Sequence, residues 1–325
     1  MEFIIYMEDK MRHLSTLDRI EKLLETKQFR LQYLVWYPLL LIILNFNQMM
    51  RKIYILPVLF ILFFTNCEKV VTIDVPSIEP KLIIDAAFEV YFDESPVNAY
   101  TVVKLKLSAD YFEDVIPVVT NATVFLTDLS NLSIINFSDL DADGSYEPET
   151  AFIPADNIAY ELTVIHNNET YKGKASKIKS TPLLSAVQGD ETLFSGEETE
   201  VRIDFTDSDF EDNYYLFDFT NNLFTSIEDR FFNGADYNFS FFYSEDDIEL
   251  PTTVNIKMSG VTKEYLTYFN VLISQSGQQA GGPFETIPSS LLGNIVNTTN
   301  IENFPLGYFH ISETDTYNLR LIDLD

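Results

Sequence analysis

YTVVKLKL, residues 100–107, sets Val103, Leu105 and Leu107 on one side of an extended chain and Lys104 and Lys106 on the other. Alternation of period two marks a strand with one face buried and one face wet. The preceding segment KLIIDAAFEV, residues 81–90, also reads as a strand, and further short strands follow at 122–126, 133–137, 159–166 and 170–175. The turns between them are rich in Asn, Asp and Gly, which indicates an antiparallel sandwich. An Ig-like β-sandwich domain is therefore expected over residues 81–180.

Thr181-Pro182 marks a hinge, because proline pushes the residue before it toward extended geometry. Beyond it, Val201, Ile203 and Phe205 alternate with Arg202 and Asp204. Strands are expected at 200–206, 213–219, 239–243 and 253–258, and two more close the chain at 307–312 and 317–322. Residues 262–276 break the pattern. There Tyr265, Phe269, Leu272 and Ile273 recur at helical spacing, with Thr262 as N-cap, Glu264 in the first turn and Gly277 just past the end. The connection 278–303, with Gly281-Gly282-Pro283, is too long for an ordinary link and is expected to wrap or to form a binding edge. The fold class is thus mainly β: two antiparallel β-sandwich-like domains, the second, residues 181–325, carrying one amphipathic helix.

Upstream of the strands lies MRKIYILPVLFILFFTNC, residues 50–67. Arg51 and Lys52 precede an apolar run at 53–64, and the polar step Thr65-Asn66 leads to Cys67, the only cysteine of the chain. A lone cysteine in an apolar stretch is ordinarily a small buried hydrophobe. Here the order of cations, apolar run, polar step and cysteine is that of a secretory signal ending in a lipid-attachment cysteine. The run is also shorter than the roughly 20 residues that span a bilayer as a helix. Residues 50–66 are accordingly expected to be a cleaved lipoprotein signal peptide, and residues 67–80 a tether lipidated at Cys67. Two or three palmitate-like chains, at about 0.8 kcal/mol per buried methylene, anchor durably where one holds marginally. Residues 1–49 stand in front of this signal. Either translation starts at Met49 or Met50 and they are an extension upstream of the true start, which is the preferred reading, or they are translated, with a helical charge pattern at 15–29 and a second apolar run at 33–46.

Of 50 acidic and 21 basic residues, 6 and 8 precede Cys67, which leaves 44 against 13 and a net charge near −31. Such a surface repels nucleic acid backbones, so no nucleic acid partner is expected. The 259 residues from Cys67 onward are enough for real cores, which must be held by packing because disulfides are impossible.

The chemistry-bearing residues are few. His166 and His310 fall in expected strands and read as structural, and no Gly-x-Ser-x-Gly, His-Glu-x-x-His or phosphate-binding glycine loop is present. Asp139, Asp141 and Asp143 resemble the start of a calcium loop, but Thr150 and Phe152 stand where the bidentate glutamate belongs, and a hairpin turn at Asp143-Gly144 is the better reading. Asp207, Asp209, Glu211 and Asp212 form a denser cluster that reads as a solvated loop or a weak Ca²⁺ site, and Glu245-Asp246-Asp247 as a solvated turn. No catalytic residue and no cofactor is expected.

Taken in order, Cys67 followed by Glu68-Lys69, Gly144-Ser145-Tyr146, Tyr160-Glu161-Leu162, Pro182, Asp212-Asn213-Tyr214-Tyr215, Tyr265 and Tyr268 of the helix, Gly281-Gly282-Pro283-Phe284, Asn294-Ile295 and Leu306-Gly307-Tyr308-Phe309 resemble the lipoproteins grouped as domain of unknown function 4249. The resemblance covers nearly all of residues 67–325. It implies a Bacteroidota-type outer-membrane lipoprotein, on the periplasmic or cell-surface face, working beside a TonB-dependent receptor in nutrient uptake, and it carries over no catalytic residue. The expectation is therefore a non-enzymatic protein held to the lipid bilayer through acylated Cys67. The alternatives are a surface adhesion or scaffold lipoprotein with no transport role and, further off, a Ca²⁺-dependent hydrolase.

Overall fold

β1 (Leu82–Tyr91) alternates as its sequence requires: Leu82, Ile84, Ala86, Phe88 and Val90 are buried, and the residues between them face the other way. The computed structural model describes residues 79–109, 115–193, 195–209, 211–275 and 291–324. The expected signal peptide, Cys67, Gly277 and the first half of the long connection, including Gly281-Gly282-Pro283, lie outside them. No helix among the described residues is long and apolar enough to cross a membrane, which says nothing of strands.

The strands continue with β2 (Asn98–Tyr100), β3 (Val103–Leu107), β4 (Thr123–Asp128), β5 (Ile134–Ser138), β6 (Ser145–Pro148), β7 (Ala159–His166) and β8 (Glu169–Ile178). After the crossover at Thr181-Pro182 come β9 (Leu183–Gln188), β10 (Thr199–Thr206), β11 (Tyr214–Asp218), β12 (Phe224–Glu228), β13 (Asp236–Tyr243) and β14 (Thr252–Gly260). Then follow α1 (Lys263–Gln275), β15 (Ile295–Asn297) and β16 (Leu306–Leu321). The described residues are mainly β, with one helix among them. One hydrogen-bonded path runs β12-β11-β14-β16-β1-β3-β6-β5-β4-β7-β8-β15, and a separate three-stranded sheet runs β13-β10-β9.

The long path doubles back on itself. Short pairings of β6 with β3 and with β5, and of β8 with β16, stitch its two faces together around a first core. In that core Phe88 lies against Phe137 at 6.0 Å and edge-on to Phe309 at 5.4 Å. The three-stranded sheet packs on β11, β14 and the end of β16 around a second core, with Ile203, Phe205, Phe217, Phe219 and Ile256 at its centre. Every buried residue of both cores falls between Leu82 and Leu321, so this unit carries its own hydrophobic interior.

β16 corrects the expectation of two closing strands. It is one strand of 16 residues, parallel to β1 from Leu306 to Thr314 and antiparallel to β14 from Thr314 to Leu321. Glu313 and Asp315 interrupt the apolar pattern and suggest a break, but both have partners from the crossover. Glu313 meets Lys177 Nζ at 3.1 Å and accepts Ser180 N–H at 3.3 Å, and Asp315 accepts Leu183 N–H at 2.6 Å. Gly260 lets the crossover pass, since a Cβ there would sit 1.9 Å from the Lys179 carbonyl oxygen. Chain order and core membership also differ. Ile295, Phe309 and Ile311 follow the Thr181-Pro182 crossover yet return to the first core.

α1 begins where its cap predicts. Thr262 Oγ1 accepts the Tyr265 N–H at 3.1 Å, and Glu264 stands in the first turn, where the helix dipole favours an anion. The helix buries Tyr265 and Leu266 and sets Phe269 edge-on to Phe224 at 4.9 Å. Leu272, expected on the packed face, is exposed, because the apolar contact surface is spent on the first turns.

Candidate functional site

β8 changes partner along one edge. Tyr171–Gly173 pair with β15, and Lys177 and Ile178 pair with β16, so Lys174, Ala175 and Ser176 have no strand partner on that side. The gap is bridged by a side chain acting as a peptide group. The Asn294 carboxamide donates to the Phe309 carbonyl at 2.7 Å and to the Lys174 carbonyl at 3.2 Å, and it accepts the Phe309 N–H at 2.8 Å. Beside this bridge lies a cavity of about 420 Å³. Lys174, Ser176 and Ile178 line it from β8, Tyr308, His310 and Ser312 from β16, and Thr262 and Glu264 from the start of α1. Ala159, Ala175, Val261, Phe309 and Ile311 complete the lining, so a mainly apolar space carries one cation, one carboxylate, several hydroxyls and a helix N-terminus, the pattern of a small-molecule site.

His310 is the unusual member. Its ring stacks on Tyr265 with centroids 3.8 Å apart, its Nδ1 lies 3.2 Å from Ser312 Oγ, and its buried Nε2 has no hydrogen-bond partner among the described residues. Burial pushes its imidazole down to about 3, so the ring is neutral at any ordinary pH. Tyr308 and Tyr265 are held protonated for the same reason, since burial raises both phenols above their usual range. The cavity therefore takes its charges from its rim, at Lys174 and Glu264, and not from its aromatic floor. The Lys174 ammonium is shared with Glu161, 3.5 Å away.

The acidic residues singled out in the sequence lie elsewhere. Asp207 is buried and already used: its carboxylate accepts Tyr215 O–H at 2.5 Å and Gly234 N–H at 2.9 Å. Asp209, Glu211 and Asp212 stay exposed. Among the described residues no group of three or more His, Cys, Asp or Glu could hold a metal ion, so the loop at 207–212 does not gather its carboxylates around one point. Asp139 folds into its own loop, accepting N–H bonds from Asp143 and Gly144 at 3.2 and 3.0 Å, and Gly144 has the positive φ of 83° expected of the turn. Asp247 caps a turn through Ser244. His166 is buried at the end of β7, away from solvent. The cleft was not foreseen, because Lys174 and Asn294 meet only through pairing between residues 120 positions apart.

Fold and cleft together define a mainly β protein with two hydrophobic cores and a cleft at a strand seam, mainly apolar with a few polar groups. Residues 68–318 match the family model described as Domain of unknown function (DUF4249), and the chain belongs to that family. No curated protein matches. Among solved structures, the FN1–FN3 domains of chicken CNTN1 are 13% identical, with 57% of this chain and 60% of that one covered and a TM-score of 0.17; this chain thus spans less than two thirds of that one. A DUF4785 family protein from Legionella pneumophila is 10% identical over 55% of this chain and 51% of its own, at a TM-score of 0.20. The chicken interferon gamma receptor alpha chain is 11% identical over 57% and 90%, at 0.17. Likenesses at these scores carry no argument.

Proposed function

We propose that this protein is a lipid-anchored outer-membrane accessory that holds a small ligand for a TonB-dependent receptor in nutrient uptake. The observation that carries the anchor is the sequence order Arg51-Lys52, apolar run, Thr65-Asn66, Cys67. The ligand-holding part is supported by the cleft, where a cation, a carboxylate and a helix N-terminus border about 420 Å³ at a strand seam. The receptor partner is supported by the family resemblance.

Intact mass of the membrane-fraction protein tests the anchor. A chain starting at Cys67 with added acyl mass, lost in Cys67→Ala, is the expected result; an unmodified cysteine overturns it. Crosslinking in intact outer membranes tests the partner. Recovery of a TonB-dependent receptor is expected, and recovery of surface matrix components alone would leave the adhesion reading in its place.

A further inference from the structure

The strands β16, β1, β3 and β6 are neighbours in that order, and at one end of the sandwich their connecting segments stand in a row. Lys81 belongs to this end, where the chain enters β1. Its backbone exchanges hydrogen bonds with Ser108 beyond β3, and its ammonium meets Asn303 Oδ1 at 3.1 Å and the ring of Phe304, 4.7 Å away, ahead of β16. Leu107 N–H bonds to the Pro117 carbonyl, and Leu105 N–H to that of Gly144 ahead of β6. Four segments thus converge on one pole.

Four aliphatic residues described on these segments are bare. Leu140 is 89% exposed, Ile301 78%, Val115 72% and Ile116 53%. Single bare apolar residues, such as Leu132 and Phe231 elsewhere in this chain, are ordinary, whereas a group of them on adjoining segments marks an interaction surface. The turn chemistry even favours it at Leu140: the carboxylates of Asp139 and Asp143 are turned back onto backbone N–H groups at Gly144 and Ser145, which leaves the leucine as the apex.

From these observations we infer that this pole docks on a lipid surface, with Leu140, Val115, Ile116 and Ile301 entering the headgroup layer. The inference rests on the proposed acyl anchor at Cys67, because what selects lipid over another protein is where the chain enters. Lys81 stands among these segments and lies 14 residues after Cys67, so the tether between them, at most roughly 50 Å when extended, keeps an acylated Cys67 within reach of the apolar tips. The charge pattern further selects the lipid. Asp141 and Glu302 flank Leu140 and Ile301 in sequence, so zwitterionic headgroups are favoured and anionic ones repel.

The unit from residue 76 to 325 has no tryptophan, since the single one of the chain is Trp36, and an introduced indole reports only on its own position. The unit is made with an amino-terminal hexahistidine tag and docked on phosphatidylethanolamine–phosphatidylcholine vesicles carrying a nickel-chelating lipid and brominated acyl chains. Two variants are compared: Leu140→Trp, and Ile134→Trp in β5, which pairs with Thr127 at the opposite end of β4. Docking is expected to blue-shift and quench the indole of Leu140→Trp, to leave that of Ile134→Trp unchanged, and to weaken the first effect when phosphatidylglycerol replaces the zwitterionic lipid. Absence of quenching at Leu140→Trp, or equal quenching in both variants, overturns the inference. A blue shift that grows with protein concentration before vesicles are added assigns the patch to a second copy of the chain and overturns it as well. Because the tag supplies the anchor, a negative result leaves acylation of Cys67 untouched, which intact mass decides separately.

Discussion

A single imidazole shows how burial sets chemistry in this protein. His310 has an acidity near 3 in the fold against about 6.5 when unfolded, so the unfolded chain binds the proton more readily throughout that interval. Its contribution to stability is therefore complete above pH 6.5 and declines as the pH falls from there toward 3. His310→Phe keeps the ring that stacks on Tyr265 and removes the proton site. Its melting temperature is expected to fall less steeply between pH 6.5 and 4.5 than that of the parent, as followed by circular dichroism. The buried carboxyl groups of Asp229 and Asp315, which burial raises, titrate with the opposite sign, but they are common to both proteins and cancel in the difference. Parallel curves would show that His310 meets water in the fold. The sequence gives no warning of this state, since a histidine in a strand looks the same whether a tyrosine from a distant helix covers it or not.

At the scale of elements the sequence was most legible where local chemistry decides. The capping of α1 by Thr262, the alternation of β1 and β10 and the Asp143-Gly144 turn are each readable within a few residues, and each is present. β9 and β12 were missed because neither alternates cleanly: Leu184 is exposed while Leu183 is buried, and Phe224–Glu228 is intermediate along most of its length. β15 was missed because three residues carry no period. The join of 307–312 to 317–322 was hidden by Glu313 and Asp315, whose partners Lys177, Ser180 and Leu183 lie more than 130 positions away. Two elements carry predictions. Thr262→Ala is expected to destabilise the fold by about 1 kcal/mol in urea titrations, and to raise amide exchange in the first turn of α1, which walls the cleft. Asp315→Ala, which leaves the buried Leu183 N–H without its acceptor, is expected to cost about 1–3 kcal/mol; a loss below a few tenths would mean that the crossover relaxes to find water.

For the molecule as a whole, the shared strand decides how the two cores answer to damage. Phe309 packs in the first core and Leu321 in the second, and both belong to β16. Phe88→Ala, which empties a fully buried ring from the first core, is expected to remove about 3–5 kcal/mol. It is also expected to lower the unfolding midpoint of the second core equally, as read by near-ultraviolet signals from the Phe205, Tyr215 and Tyr237 cluster. Two separated transitions would show that the cores unfold independently despite their common strand. The central place of β16 also bears on the order of events during synthesis. β1 is among the first segments made, yet its partner begins at Leu306, more than 200 residues later, and loop closure over that distance is slow. The first core cannot close until Ile311 has left the ribosome, nor the second until Leu321 has, so both stay incomplete through nearly all of translation.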